Sequence, residues 1–257
     1  MKLLGLIGYP LSHSFSKKYF TQKFENEGLT HDWKYELFPI ESIQQLPDLL
    51  RGYPNLIGLN VTIPYKEDVM FWLDELDETA ETIGAVNCIK IDNGKLKGYN
   101  TDYYGFQKSL LGLISPLLSQ MGSLDGGNSN IKALILGTGG SAKAVAYALK
   151  ELKIPYQYVS RHKSAHGLTY TDLNETTMAS HQLIVNCTPL GMSPNTEGYP
   201  SIPYECLGNQ HFMYDLIYNP EETTFLKRGK EQGAKVKSGL DMLYFQAEKG
   251  WEIWNLQ

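Results

Sequence analysis

Short runs of aliphatic and β-branched residues alternate with longer amphipathic segments along the first hundred residues. Their periods predict strands at 3–7, 33–39 and 56–63 and helices at 17–27, 43–51 and 67–76. Two more strands are predicted at 86–91 and 95–99, on either side of Asp92-Asn93-Gly94, a sequence typical of a tight hairpin turn. Alternation of this kind predicts an α/β fold with parallel strands and helices on both faces of the sheet.

A change of composition near residue 115 divides the chain into two α/β parts. The segment 115–130 contains Pro, Gly, Ser and Asn residues without a clear period, so a loop or weakly helical excursion is expected. Beyond it the pattern predicts four strands and a closing helix, at 132–136, 156–160, 183–186, 212–217 and 240–254. We place the boundary in the preceding helix, 104–113, which is expected to link the two parts.

Composition narrows the class of protein. The 257 residues are 42% hydrophobic and 20% charged, as in ordinary globular proteins, and a net charge of −5 without a long basic run argues against a nucleic-acid partner. The three cysteines have neither disulfide-framework nor metal-ligand spacing, which favours a reducing compartment and no metal. No stretch approaches the roughly 18 apolar residues of a membrane span. We therefore expect a cytoplasmic protein that does not bind membranes.

A glycine motif stands between the predicted strand 132–136 and the helix after it. It matches G-x-G-x-x-[G/A] and consists of Gly137, Thr138, Gly139, Gly140, Ser141 and Ala142. Glycines in this context allow a tight turn and a close approach of the backbone to a pyrophosphate at the helix N-terminus. A plain strand-to-helix turn is the alternative, but the flanking strand and helix favour dinucleotide binding.

The end of the next predicted strand indicates which dinucleotide. NAD sites usually carry an Asp or Glu there, whereas this chain has Ser160, Arg161 and His162, followed by Lys163. An arginine can pair with a 2′-phosphate, which an acid would repel. Arg161 as a solvated loop cation is the alternative. The missing acid favours NADP.

Polar residues recur at the predicted strand ends and turns of the first part: Ser14, Ser16, Asn60, Thr62, Lys66, Asn87, Asn100, Thr101 and Asp102. Each has a structural alternative: Ser16 could cap a helix, Asn60 or Asn87 could satisfy turn backbone, and Lys66 and Asp102 could be a surface ion pair. Ligand sites of open α/β sheets gather at the carboxyl ends of strands. Uncharged hydroxyls and amides beside one Lys and one Asp together favour a pocket for a small polyhydroxylated molecule.

The chain resembles the shikimate dehydrogenase family over nearly its full length, in the order and spacing of GYPLSHSFS, GLNVTIPYKE, GAVNCI, GYNTDYYGF, LGTGGSAKAV, VNCTPLGM, YDLIYNP and GLDMLYFQA. The resemblance implies reversible reduction of 3-dehydroshikimate to shikimate with NADPH, in chorismate and aromatic amino acid biosynthesis. It also implies an α/β substrate-binding and catalytic domain at 1–103, with a C-terminal helix at 240–257 packing back on it. A Rossmann-type NADP-binding domain would occupy 104–239, with a cleft between the two.

The resemblance also assigns roles at the reacting end. Reducing a ketone leaves an alkoxide that needs a proton, and by similarity Lys66 supplies it, with Asp102 beside it. Ser14 and Ser16 would bind the substrate carboxylate, and Tyr218 would close over it.

Two further sets of contacts follow from the resemblance. The residues expected to bond the ring hydroxyls, together with Asp102, are Asn60, Thr62, Asn87 and Gln246. Those expected at the cofactor, in addition to the glycine turn and the 160–162 loop, are Thr188, Leu216 and Gly239, with Thr188 and Gly239 at the nicotinamide end. Without the resemblance, Gln246 could equally be a helix residue facing solvent.

The sequence departs from the family at Lys17, where proline is usual, and at Ser160 and His162, which flank Arg161 in place of Asn and Thr. Two alternatives to the assigned activity stay open. One is a dual-specificity quinate/shikimate dehydrogenase that uses NAD or NADP, although the acid typical of that branch is missing. The other is a catalytically idle NADP-sensing homologue, which would be expected to lack Lys66 and Asp102. A monomer or a homodimer is expected.

Overall fold

The computed structural model describes residues 1–11, 14–120, 131–163 and 167–256. The chain forms two compact units: unit 1 comprises residues 1–101 and 246–257, and unit 2 comprises residues 102–245. The boundaries predicted from the sequence lie at residues 103 and 240. In the structure, unit 2 begins at residue 102, the first residue of a helix, and ends at residue 245, inside the last helix of the chain.

Unit 1 contains a six-stranded mixed sheet. Its strands are β1 (Lys2–Gly8), β2 (Trp33–Pro39), β3 (Leu56–Val61), β4 (Glu75–Leu76), β5 (Cys88–Asp92) and β6 (Lys95–Tyr99), in the spatial order β2-β1-β3-β5-β6-β4. The pairs β1–β2, β1–β3 and β4–β6 are parallel, and the β3–β5 and β5–β6 pairs are antiparallel. The predicted hairpin is confirmed, with positive φ at Asn93 and Gly94.

Helices cover both faces of this sheet, as the alternation predicted. They are α1 (Phe15–Asn26), α2 (Leu46–Gly52) and α3 (Glu78–Ile83). Leu4 and Leu6 of β1 pack in an aromatic-rich core with α1, whereas Leu3 and Ile7 pack in the core on the other face. The two-residue period of a strand therefore supplies both cores.

The predicted helix at 67–76 is wrong in extent and in type. A short 3₁₀ helix spans Asp68–Trp72, and the chain then becomes extended to form β4. Asp74 bonds to Leu96 twice, since its backbone N–H donates to the Leu96 carbonyl and its carboxylate accepts from the Leu96 N–H at 2.7 Å. Pairing with β6 thus overrides the local helical preference.

Unit 2 contains an all-parallel sheet. Its strands are β7 (Ala133–Leu136), β8 (Tyr156–Ser160), β9 (Gly167–Thr169), β10 (Leu183–Asn186), β11 (Phe212–Asp215) and β12 (Lys235–Lys237), in the order β12-β11-β10-β7-β8-β9. Numbered within the unit, this order is 6-5-4-1-2-3, which is the doubly wound Rossmann arrangement. The predicted fold class is confirmed. Strand order reverses between β7 and β10, and ligands of such sheets bind beside the carboxyl ends of the strands at that point.

The helices of this part are α4 (Asp102–Gln120), α5 (Gly140–Glu151), α6 (Glu175–Ser180), α7 (Thr224–Glu231) and α8 (Leu240–Asn255), the last of which continues into unit 1. Helix α4 continues through residues 115–120, the first part of the segment predicted to be a loop or weakly helical, and the rest of that segment, 121–130, lies outside the described residues. The composition at 115–120 was misleading because one proline removes a single helical hydrogen bond and need not end a long helix. In the described part of the chain, no helix has the length and apolarity needed to cross a bilayer.

Candidate active site

The turn after β1 brings Ser14 to the head of α1. Ser14 is the N-cap, with extended backbone, and its hydroxyl oxygen accepts from the Lys17 N–H at 3.2 Å. The interpretation of Ser16 as the cap is therefore wrong, and the helix begins two residues earlier than predicted. Accepting this bond leaves the Ser14 hydroxyl hydrogen available to donate to an anion. His13 lies outside the described residues.

Lys17, which replaces the family's proline, forms an ion pair with Glu36 on β2 at 2.7 Å. Its own backbone N–H is the one that Ser14 caps, a bond that proline could not make. Lys17 and Lys34 together hold the pKa of the Glu36 carboxyl below its usual value, with the hydrogen bond to Lys17 as the larger cause. The ion pair between Lys17 and Glu36 therefore ties the start of α1 to β2, the strand that carries Tyr35.

Asn60 is held by Tyr35, a buried tyrosine that no sequence pattern indicated. The Tyr35 hydroxyl donates to the Asn60 side-chain oxygen at 2.7 Å. Tyr35 and Asn60 are 3% and 4% exposed. Burial raises the pKa of the Tyr35 phenol well above its ordinary value, against a smaller lowering effect of the Ser16 side chain, so the hydroxyl stays protonated. No local pattern marks the contact, because Tyr35 lies on β2 and Asn60 on β3.

A second cluster lies where β5, β6 and α8 meet within unit 1. The Asn87 side-chain N–H₂ donates to the Thr101 hydroxyl at 2.9 Å and to the Gln246 side-chain oxygen at 3.3 Å, and the Asn87 oxygen accepts from the Thr101 N–H at 2.6 Å. The three side chains are between 0% and 6% exposed. Gln246 as a solvent-facing helix residue is therefore wrong. The Asn60 amide reaches the Asn87 carbonyl at 3.4 Å, which links the two clusters.

Thr62 and Lys66 follow β3 in a turn held at several points. The Thr62 N–H donates to the Ile7 carbonyl at 3.0 Å, and the Lys66 carbonyl accepts from the Val86 N–H at 2.7 Å. Between them the buried Tyr65 hydroxyl donates to the Ile40 carbonyl at 2.7 Å. Both Thr62 and Lys66 are half-buried. The turn therefore fixes the backbone from which the lysine projects.

Asp102 is the first residue of α4 and the first residue of unit 2. It is 6% exposed, so the interpretation of Asp102 as one half of a surface ion pair is wrong. A carboxylate at a helix N-terminus interacts favourably with the exposed N–H groups and the helix dipole.

In unit 2 the glycine motif forms the turn from β7 into α5, as predicted. Gly137 has a φ of +109°, a value that favours glycine, and its N–H donates to the Val159 carbonyl at 2.9 Å. A methyl group at Gly137 would lie 3.3 Å from the Cys187 carbonyl oxygen and from the Thr188 methyl. Gly139 caps α5 without a side chain, so the first N–H groups of a 12-residue helix are unobstructed by a capping side chain. This turn fits a pyrophosphate.

The loop after β8 carries the residues expected at the adenosine end. Ser160 is half-buried and its hydroxyl donates to the His162 carbonyl, while Arg161 and His162 are exposed. Within the described residues, no Asp or Glu stands among the first residues after β8. Arg161 lies close enough to Tyr170 to lower the pKa of that phenol, against the larger raising effect of burial.

Across the switch point, Thr188 is held by a buried network. Asn186, at the end of β10, accepts from both the Thr188 N–H at 3.0 Å and the Thr188 hydroxyl at 2.6 Å. Its amide donates to the Asp215 carboxylate at 3.0 Å, which also accepts from the Thr223 hydroxyl at 2.6 Å and from the Ile217 N–H at 3.0 Å. Burial raises the pKa of Asp215 to about 6 against these three hydrogen bonds.

Leu216 and Gly239 are packed backbone to backbone. The Gly239 N–H donates to the Ile217 carbonyl at 3.1 Å, and a methyl group on Gly239 would lie only 2.2 Å from the Leu216 carbonyl oxygen. Leu216 follows β11 and Gly239 follows β12. Tyr218, two residues beyond Leu216, is half-buried.

The structure thus gathers the predicted residues into groups inside each unit. In unit 1, Asn60, Asn87 and Gln246 share one hydrogen-bonded system; in unit 2, Gly137 and Thr188 meet at the switch point. Four residues of these networks were missed: Tyr35, Asn186, Asp215 and Thr223. Asn186 and Asp215 stand at the ends of neighbouring parallel strands, a placement that could have suggested their contact. Among the described residues, no three His, Cys, Asp or Glu side chains are grouped as a metal site requires.

The chain is similar to known proteins over one domain and over nearly its full length. Residues 6–89 match the family model of the shikimate dehydrogenase substrate binding domain. A shikimate dehydrogenase (NADP(+)) from Desulforamulus reducens is 38% identical over 275 residues, which cover 98% of this chain and 89% of that protein.

Solved structures of shikimate dehydrogenases are similar to this chain over nearly its full length. Shikimate dehydrogenase from Aquifex aeolicus has a TM-score of 0.84 at 34% identity, covering 99% of this chain and 92% of that one. Shikimate 5-dehydrogenase from Thermus thermophilus, solved in complex with NADP(H) and shikimate, has a TM-score of 0.81 at 29% identity and covers 99% and 94%.

Proposed function

The chain belongs to the shikimate dehydrogenase family, and we propose that it catalyses the reversible NADPH-dependent reduction of 3-dehydroshikimate to shikimate in the route to chorismate and the aromatic amino acids. The proposal rests mainly on one observation: the chain contains two different arrangements suited to binding ligands, one in each unit. Unit 1 has a buried cluster of uncharged hydrogen-bonding side chains, and unit 2 has the glycine turn of a dinucleotide site.

We propose that unit 1 binds the polyhydroxylated substrate. Ser14 and Ser16 donate to its carboxylate, with Tyr218 closing over that group. Asn60, Thr62, Asn87 and Gln246 bond its ring hydroxyls. Buried amides with fixed partners suit this task because they can both donate to and accept from hydroxyl groups without carrying a charge. The relative from Thermus thermophilus, which was solved with shikimate, supports the ligand class.

Lys66 is proposed as the proton donor, with Asp102 as its partner at the substrate. NADPH, when bound, supplies the hydride that reduces the ketone. The alkoxide that results takes a proton from the Lys66 ammonium, and in the reverse direction Lys66 as the free amine accepts the proton from the hydroxyl. General acid–base assistance of this kind is worth about 10²- to 10⁴-fold in rate. The turn that anchors Lys66 at its own carbonyl, and at Thr62 and Tyr65, holds the lysine for this role.

For the cofactor, we propose that the N–H groups of Gly137–Ala142 hold the pyrophosphate and that Arg161 pairs with the 2′-phosphate. Ser160 and His162 line the adenosine end, and Thr188, Leu216 and Gly239 line the nicotinamide end. An exposed Arg161, with no acid near the end of β8, supports NADP over NAD. The protein is proposed to act in the cytoplasm, as a monomer or homodimer, and its three free cysteines agree with a reducing compartment.

The proposal is tested by following NADPH absorbance after addition of 3-dehydroshikimate to the purified protein. Rapid consumption of NADPH is expected, with NADH at least about tenfold slower because Arg161 gains a charged partner only in NADPH. Equal rates with the two cofactors would contradict the NADP preference, and no turnover with either would contradict the activity. In the oxidative direction, shikimate is expected to outperform quinate; a preference for quinate would move the protein to the dual-specificity branch.

A further inference from the structure

Tyr35 is hydrogen-bonded to a residue that the proposed function places at the substrate. Asn60 is assigned to a ring hydroxyl, and its side-chain oxygen accepts from the Tyr35 phenol at 2.7 Å. The core around Tyr35 is aromatic and apolar, so a phenylalanine would satisfy the packing at this position of β2. The hydroxyl group of Tyr35 therefore needs an explanation other than packing.

The bond from Tyr35 sets the orientation of the Asn60 amide. The Tyr35 phenol has one hydrogen, which is donated to the Asn60 oxygen at 2.7 Å. With that oxygen turned toward the phenol, the Asn60 N–H₂ group points to the other side of the amide, where it donates to the Asn87 carbonyl at 3.4 Å. Tyr35 thus fixes which atoms of the Asn60 amide a ligand can meet.

Packing holds the phenol in this place. The Tyr35 ring stacks on Phe20 with centroids 4.9 Å apart and planes 10° apart, and Phe20 itself is fully buried. Phe20 packs in turn against Trp254 of α8 at 5.5 Å. A ring clamped in this way has little freedom to move its hydroxyl away from Asn60, so the contact is preorganised before any ligand arrives.

We propose that Tyr35 is a positioning residue of the substrate site, which orients the Asn60 amide for a polyhydroxylated carboxylate ligand. The inference rests on the proposed function for the identity of that ligand. The bond from Tyr35 keeps the Asn60 oxygen turned toward the phenol, so the polarity that the amide presents to a ring hydroxyl is set before the ligand binds.

Tyr35→Phe removes the hydroxyl and keeps the stacked ring. The buried Asn60 oxygen then lacks its donor and the amide is free to turn, so the KM for shikimate is expected to rise about five- to thirty-fold. The KM for NADP(+) and kcat should stay within about two- to threefold of wild type, because unit 2 and Lys66 are untouched. Calorimetric titration of shikimate alone should show the same loss of affinity.

Tyr204→Phe is the matched control. It also removes a buried tyrosine hydroxyl, which donates to the Pro200 carbonyl at 2.9 Å in unit 2. Both variants are expected to lower the thermal unfolding midpoint, but only Tyr35→Phe should change the KM for shikimate. A similar change in both would show that Tyr35 contributes stability alone and would overturn the inference.

A double substitution tests the coupling directly. In an Asn60→Ala background the orienting bond has no acceptor, so adding Tyr35→Phe should change the KM for shikimate by less than about twofold. A full additional loss would contradict the proposed route through Asn60. If the wild-type protein does not turn over shikimate, the proposed function fails; if it does and Tyr35→Phe binds shikimate normally, only the role of Tyr35 fails.

Discussion

In unit 1 the candidate ligand groups are side chains that hold one another in place, whereas the glycine turn of unit 2 presents backbone N–H groups. The first arrangement draws on β2, β3, the ends of the β5–β6 hairpin and α8, so its residues are far apart in the sequence. The second lies within six consecutive residues and depends on one positive φ. Side-chain networks can be tuned to one ligand by single substitutions, while a backbone cradle accepts any group of the right charge and size.

The difference suits the two ligands. A diphosphate is common to many cofactors and is bound through its charge at a helix N-terminus. A cyclic polyol must be distinguished from its isomers, which requires hydrogen bonds of defined polarity. Unit 2 also contains a network of side chains that hold one another, formed by Asn186, Asp215 and Thr188, of which Thr188 is proposed to line the nicotinamide end of the cofactor.

Lys66→Ala should have the largest effect, because it removes the proposed proton donor. We expect kcat to fall about 10²- to 10⁴-fold with the KM for shikimate changed far less. Steady-state kinetics in both directions measure this split. Lys95→Ala, at an exposed lysine that begins β6, serves as the control and should retain full activity. A normal kcat in Lys66→Ala would remove the lysine from the mechanism.

Asp215→Asn tests the buried network of unit 2 through pH. The pKa of Asp215 is raised from its ordinary 3.8 to about 6, so the folded protein binds a proton that the unfolded chain has already released. This group therefore costs stability as pH rises from about 4 to 6, by about 3 kcal/mol for two pKa units. The neutral variant escapes that cost, so its stability relative to wild type should improve by about 3 kcal/mol between pH 4 and pH 7.

Denaturant unfolding of both proteins at several pH values measures this difference. Asparagine keeps the oxygen that accepts from Asn186, so the Thr188 loop should stay in place and the KM for NADP(+) should change little. A stability difference that is independent of pH would mean that Asp215 is charged at low cost in the folded protein.

Gly137→Ala tests the backbone N–H groups of unit 2 and is expected to have the smallest effect on catalysis of the three changes. A φ of +109° is strained for alanine, and the added methyl would crowd the Cys187 carbonyl and Thr188. We expect a loss of about 1–3 kcal/mol in stability and a raised KM for NADP(+) with the KM for shikimate unchanged. Gly112→Ala, at an exposed position of α4 with no atom within 4 Å, should instead stabilise by about 0.5–1 kcal/mol. Equal effects on both KM values would contradict the division of ligands between the units.

Features set by neighbouring residues could be predicted from the sequence, whereas contacts between distant residues could not. The α/β class, the hairpin at Asn93-Gly94 and the turn at Gly137 follow from local period and backbone conformation, so the sequence indicates them directly. The helix predicted at 67–76 failed because Asp74 pairs with Leu96, a contact 22 residues away.

Side-chain partners were harder to predict for the same reason. Ser16 and Asn60 were singled out, but Tyr35 was not, because nothing near residue 35 indicates that its hydroxyl reaches Asn60. Ser16 was considered as a possible cap of α1, but the bond from the Lys17 N–H to the Ser14 hydroxyl identifies Ser14 as the cap. Asp215 was missed although it ends β11 within the motif YDLIYNP, since its role depends on Asn186 in the neighbouring strand.

Hydrogen–deuterium exchange with each ligand added alone tests most directly whether the two units bind different ligands. Shikimate should slow exchange in the turn 62–66 of unit 1 and leave the glycine turn 137–142 of unit 2 unchanged. NADP(+) should slow exchange at 137–142 and leave 62–66 unchanged. Protection of 137–142 by shikimate without protection of 62–66 would contradict the account.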